Sequence, residues 1–133
     1  DMLMYYDARV EKTWNGLFDS DTLKPIKGYY AFKAFSELYQ LGTQVECDCD
    51  DNALSIVAAK NEDSISTMIC YYTMDENAEE KDIMFNIDSK KAFDLYLLDD
   101  ENNLTKQNTV ENNSTITISP NSVILLTDAK NLN

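Results

Sequence analysis

Twenty-four Asp and Glu residues, three Cys and no His bound the chemistry open to this chain of 133 residues. Two carboxylates can share acid–base work when one is held protonated and the other ionised. Most of the acids here fall in turn groups such as Asp50-Asp51-Asn52, Asn61-Glu62-Asp63 and Asp75-Glu76-Asn77, where water keeps a carboxylate at its ordinary pKa. The absence of His removes Ser/His and Cys/His nucleophile systems and the commonest metal ligand together. Asp48, Asp50, Asp51 and Asn52 form an oxygen-rich cluster of the kind that holds calcium. They lack the regular spacing and central Gly of an EF-hand loop, and a sharp β-turn explains them as well. The sequence therefore assigns no catalytic residue, no metal ligand and no cofactor.

A net charge of −13 argues against nucleic acid, whose phosphates are bound by Lys and Arg. The same charge argues against an anionic membrane surface. No apolar run approaches the roughly 20 residues that span a bilayer. Cys47 and Cys49 are two apart, so on a strand they would share a face and could not easily close on each other. Either could meet Cys70 across a strand pair, but three cysteines suit free thiols in a reducing compartment, which favours a cytoplasmic location. Asn112-Asn113-Ser114 and Asn113-Ser114-Thr115 match the glycosylation acceptor pattern by chance in an Asn-rich chain.

The elements that would position these residues change period at Gly42. Met2 to Tyr6 is a short, wholly apolar run and reads as a buried strand. Residues 7–27 carry Asn15-Gly16, Asp19-Ser20-Asp21 and Pro25 and read as loop. From 28 to 42 the stripe Gly28, Ala31, Phe32, Phe35, Leu38, Tyr39, Gly42 follows the spacing of one helix face, with Gly42 placed for a left-handed C-cap. Beyond it the period is two. Val45, Cys47 and Cys49 alternate with polar residues, and Leu54–Ala58, Ile65–Thr73, Ile83–Ile87, Phe93–Leu97, Thr115–Ile118 and Val123–Leu126 read as strands. A weaker strand lies around Thr105–Val110. About eight short strands separated by turn groups predict a mainly β fold, an antiparallel β-sandwich preceded by one strand, a loop and one α-helix. The densest acidic run, Asp75 to Asp82, reads as a solvated hairpin loop.

The order Tyr5-Tyr6-Asp7-Ala8-Arg9, Trp14-Asn15-Gly16-Leu17-Phe18-Asp19, Leu23-Lys24-Pro25 and Lys27-Gly28-Tyr29-Tyr30-Ala31-Phe32 resembles the last strand, loop and helix of a clan A glycoside hydrolase (β/α)₈ barrel. The likeness is to bacterial β-xylosidase-like, family 39-type enzymes, in which this segment runs straight into a C-terminal β-sandwich. The resemblance implies two units: residues 1–42, the closing strand, loop and helix of a barrel, and residues 43–133, the C-terminal sandwich. It also implies that the chain is a C-terminal fragment of a carbohydrate-active hydrolase. The family's acid and nucleophile stand on earlier barrel strands, so no residue here matches them. The upstream barrel of the same polypeptide would be the partner.

Under that resemblance the loop after the first strand faces a barrel's active site. Trp14 could then stack on a sugar ring, and Asp7 and Arg9 could reach substrate hydroxyls. A blander role has Trp14 and Phe18 covering the helix. The rival to a structural sandwich is a carbohydrate-binding or protein-interaction module with no enzymatic parent. Its sugar platform would be Tyr71, Tyr72 and Tyr96, since alternation turns one of each neighbouring pair outward. An aromatic helix and apolar strand without their barrel also predict self-association through residues 2–42.

Overall fold

The computed structural model describes residues 9–11, 16–87 and 89–129. One helix, α1 (Lys27–Leu41), precedes β1 (Thr43–Val45), β2 (Leu54–Lys60), β3 (Ile65–Tyr71), β4 (Lys81–Met84), β5 (Phe93–Leu98), β6 (Asn103–Val110), β7 (Thr115–Ile118) and β8 (Ser122–Thr127). The strands pair antiparallel in a six-stranded sheet, order β1-β2-β3-β8-β5-β6, and a two-stranded sheet, β4-β7. This is the mainly β sandwich that the alternation predicts. The strand expected over residues 2–6 lies outside the described residues.

The larger sheet is covered on both faces, and residue parity decides which face each side chain serves. Ile69 and Tyr71 of β3, Ile124 and Leu126 of β8, and Phe93 and Leu95 of β5 point toward the smaller sheet. There they meet Phe85, Ile116 and Ile118. Phe85 stands edge-on to Phe93 with ring centroids 5.1 Å apart, a favoured aromatic geometry. The alternate residues, Met68, Leu98 and Leu125, point the other way and pack beneath α1. Register locks the arrangement, because Ile69 lies opposite Ile56 on one side and Ile124 on the other. A slip of one residue would exchange the two faces.

Helix α1 ends as the sequence predicts. Gly42 adopts φ +84°, and its N–H donates to the Tyr39 carbonyl at 3.2 Å. The buried stripe, however, is rotated from the expected one. Ala34 and Leu38 are buried, with Tyr30, Ala31, Phe35 and Leu41 packed around them, whereas Tyr39 is 78% exposed. Aromatic and aliphatic residues occur around most of this helix, so spacing alone leaves the direction of its face open. The sheet selects the small side, where Ala31 and Ala34 let the backbone come close.

Residues 16–26 are mostly irregular, as expected. Phe18 bridges to Val10 and Pro25, and Asp19 closes a turn by accepting from the Asp21 and Thr22 amides at 2.9 and 2.8 Å. The Phe18 ring packs on Tyr29 in the first turn of α1, centroids 5.5 Å apart. At the far end of the sheet the Asp128 carboxylate accepts from the Ile65 amide at 2.8 Å and pairs with Lys91 at 3.0 Å. Ser66 donates to Thr127 across the β3–β8 pair at 2.7 Å, which satisfies two buried hydroxyls.

Three strands differ from expectation. β4 runs over Lys81–Met84 rather than Ile83–Ile87. β1 stops at Val45, so Cys47 and Cys49 lie in a loop rather than on one strand face. Side-chain acceptors compete with the ladder there: Asp48 accepts from the Cys49 amide and Asp51 from the Ala53 amide, both at 2.9 Å. β6 is longer than predicted and carries two register shifts against β5. Leu104 and Gln107 are the extra residues, and Leu104 takes φ +56° while burying its side chain under α1.

Docking of α1 on the sheet gives a direct stability test. Leu38→Ala should cost about 2–5 kcal/mol in a denaturant melt. Tyr39→Ala, on the exposed side, should stay within about 0.5 kcal/mol of the parent.

Candidate functional site

The two sheets differ in width, and the mismatch opens a cleft of about 630 Å³. Among the described residues the smaller sheet spans two strands, which leaves the inward faces of β2 and the start of β3 partly uncovered by them. Ile56, Ala58, Ile65, Thr67 and Ile69 form an apolar floor. One wall is β4 with its continuation through Phe85 to Ile87; the other is the loop from Glu46 to Asp51. No residue of β7 lines the cleft, so it opens on the β4 side of the smaller sheet.

Lys81 ties the walls together. Its Nζ lies 2.6 Å from Asp51 Oδ2 and 5.3 Å from the centre of the Tyr71 ring. The hydrogen bond from Lys81 holds the Asp51 carboxyl below its ordinary range, aided by the Ala53 amide. Asp51 in turn raises Lys81. The remaining rim is acidic, with Glu46, Asp48, Asp50 and Asp82. Burial pushes the Cys47 thiol up, so it is a poor thiolate and a poor nucleophile near neutrality.

None of this builds acid–base machinery. A general acid needs a carboxyl raised toward neutrality. Asp51 and Asp94 are displaced the other way, each by a hydrogen bond from a lysine, Lys81 and Lys106. At Asp99 burial pulls upward, but hydrogen bonds from Asn102 and the Glu101 amide outweigh it and the carboxyl is lowered. The Asp48–Asn52 cluster folds as a turn, and among the described residues no three Cys, Asp or Glu side chains converge on a metal position. All three cysteines are free thiols; Cys70 faces α1, on the opposite side of the sheet from Cys47 and Cys49.

The structure separates the tyrosines that the sequence brings together. Tyr71 is 5% exposed, packs inside the sandwich and donates its hydroxyl to the Glu79 carbonyl at 3.3 Å. Tyr72, just past β3, is 72% exposed. Tyr96 packs on the α1 side of the sheet, where burial raises its phenol. Tyr71 therefore faces the sandwich interior and Tyr96 the opposite side of the sheet, so the two share no exposed surface. Arg9 is exposed, while Asp7 and Trp14 lie outside the described residues. The cleft was not visible in the sequence. Ile83 and Phe85 showed a strand, but nothing showed that only one neighbour would pair with it.

No family model matches this chain, and no curated protein matches it. Solved structures do. A glycoside hydrolase family 30 subfamily 8 xylanase, Xyn30A, from Clostridium acetobutylicum shares the fold at TM-score 0.68 and 15% identity, over 89% of this chain and 32% of that one. A family 30 endoxylanase from Clostridium papyrosolvens C71 does so at TM-score 0.69 and 18% identity, over 87% and 31%. A conserved exported protein from Bacteroides fragilis matches at TM-score 0.53 and 14% identity, over 63% and 18%. The chain thus spans about a third of the length of the two xylanases whose fold it shares. At these identities the likeness shows the fold alone, and the two xylanases are family 30 enzymes rather than family 39 ones.

The Lys81–Asp51 pair sets a pH expectation. Asp51 is lowered, so its contribution is present at neutral pH and is lost as pH falls through its depressed folded pKa. Lys81 is raised, so its contribution holds below the ordinary lysine pKa and is lost as pH rises through the raised one. Carboxyl-carbon NMR should find the Asp51 midpoint below that of an ordinary Asp. In Lys81→Gln it should move back up, with little change in folding stability because the pair is solvated.

Proposed function

We propose that residues 43–133 are the non-catalytic C-terminal β-sandwich of a glycoside hydrolase. Residues 1–42 are then the closing strand, loop and helix of its (β/α)₈ barrel, and α1 joins the two units. One observation carries the reading. The stretch that shares the family 30 xylanase fold covers 89% of the chain in a single match. It is therefore too long to be the sandwich alone, and it matches only 32% of the xylanase.

The packing of α1 supports the same role. Its small face docks on the larger sheet through Ala34 and Leu38. A joining helix must also present a second apolar side, and this one leaves Tyr39 exposed and Tyr29 and Phe32 half-buried. Beside it an apolar groove of about 330 Å³ runs between Phe32 and Phe35 of the helix and Val57, Met68 and Cys70 of the sheet. A barrel packed there would cover both. The sandwich would stabilise the barrel by extending its core, and chemistry would belong to carboxylates elsewhere in the polypeptide. The burial of Tyr71, on the opposite side of the sheet from Tyr96, favours this structural role over a three-ring sugar platform.

Two outcomes test the proposal. The 133-residue chain should not hydrolyse aryl glycosides between about pH 5 and 8, whereas the full-length polypeptide should. Turnover by the chain itself, abolished by one Asp or Glu substitution, would overturn the reading.

The second outcome is association. The uncovered side of α1 should drive the chain to self-associate against its charge of −13. Light scattering at matched salt should give residues 1–133 a mass that is a multiple of the chain's own, and the full-length protein, in which the barrel covers that side, the mass of one polypeptide.

A further inference from the structure

We propose that Tyr72 is a distal sugar-binding residue of the full-length enzyme, stacking on one unit of an uncharged polysaccharide that extends beyond the catalytic cleft. The inference rests on the reading of α1 as the closing helix of a barrel. It adds the substrate class, a polymer rather than a short glycoside. In a (β/α)₈ barrel each helix follows the loop at the end of a strand, on the catalytic face. The start of α1 therefore marks which end of the sandwich lies level with the active site.

Register identifies that end. Lys27, the first residue of α1, donates from Nζ to the Asn102 carbonyl at 3.0 Å, in the turn between β5 and β6. Leu98, which closes β5, lies opposite Val123, and the adjacent Ser122 lies opposite Tyr71. At its other end α1 passes through Gly42 into β1, whose Thr43 pairs with Lys60 at the far end of β2. The residues after β3 thus share the end of the sandwich where α1 begins.

Tyr72 stands at that end, 72% exposed. Met68 and Cys70 line the groove beside α1, and alternation makes Tyr72 the next residue of their row, past the end of the groove. A barrel seated on that groove would bring its rim beside the ring. The backbone here is fixed: the Thr73 amide donates to Asn121 Oδ1 at 3.0 Å and the Asp75 amide to Thr73 Oγ1 at 3.1 Å. A tyrosine on a fixed backbone offers a large, rigid apolar face at low entropic cost, which suits the CH surface of a pyranose. The acids that follow, Asp75, Glu76 and Glu79, repel a uronate-bearing chain. They can accept from the hydroxyls of an uncharged one.

Kinetics of Tyr72→Ala in the full-length polypeptide test this. The aryl glycoside turned over fastest fixes the sugar, and the probes are that glycoside and a linear, uncharged polysaccharide of the same sugar. On the polysaccharide kcat/KM should fall by about three- to tenfold, the loss of one stacked ring. On the aryl glycoside it should stay within about twofold, since a single sugar unit does not reach the ring. Tyr72→Phe should restore the polysaccharide rate, because stacking needs the ring face and not the hydroxyl. An unchanged polysaccharide rate for Tyr72→Ala in an active polypeptide overturns the proposal and leaves the enzyme reading standing. Equal losses on both probes with a lowered melting temperature assign Tyr72 to packing against the barrel and overturn it as well. A full-length polypeptide that hydrolyses no glycoside overturns the enzyme reading, and the proposal falls with it.

Discussion

The structure depends on one sheet being buried from both sides. β3, β8 and β5 stand at the centre of six strands, and each must offer apolar side chains upward and downward at once. β8 shows the demand most clearly: Val123, Ile124, Leu125 and Leu126 run consecutively, with Ile124 and Leu126 serving one layer and Val123 and Leu125 the other. An antiparallel sheet with one wet face would alternate apolar and polar instead. Because both faces are committed, the helix on one side and the small sheet on the other are each held by the same strands. Neither layer can be removed without exposing half of the central core.

The two covers are unequal, and that inequality shapes the openings on either side of the larger sheet. On the helix side a single α1 with small residues at its contact seats closely, leaving an apolar groove along its flank. On the other side two strands face six, leaving a cleft with an apolar floor and an acidic rim. Both openings are bordered by ordered secondary structure rather than by loops alone. At Asp51 and Asp94 the hydrogen bonds from Lys81 and Lys106 favour the ionised carboxylate.

Charge is arranged so that it does not disturb this core. The acids gather in turns, where Asp19, Asn61, Asp75 and Asp99 each accept from backbone amides two or three residues on. Such turns stop one strand and aim the next without a buried partner. Asn113 and Asn121 take left-handed backbone conformations, φ +62° and +58°, at turns where glycine is absent. Asn tolerates that region better than most residues, so a chain with only three glycines can still make tight reversals.

The sequence by itself determined the local elements: one helix with a glycine C-cap, then about eight strands bounded by Asp/Asn turns. Period and turn chemistry are properties of neighbouring residues, so they survive without knowledge of the fold. It also determined that nucleophile–histidine chemistry is excluded, since that needs a residue type the chain lacks. Tertiary structure decided what depends on partners far away in the chain. It turned α1 onto Ala34 and Leu38 because the sheet accepts the smaller side of a helix whose apolar residues cover more than half its circumference. It placed bulges at Leu104 and Gln107, each of which shifts parity and blurs the alternation of β6. It sent Tyr71 inward and Tyr96 to the opposite face, which dissolved the proposed platform. And among the described residues it gave β4 one neighbour, β7, because which strands pair is settled by long-range contacts, while the sequence of a strand records only that it has two faces.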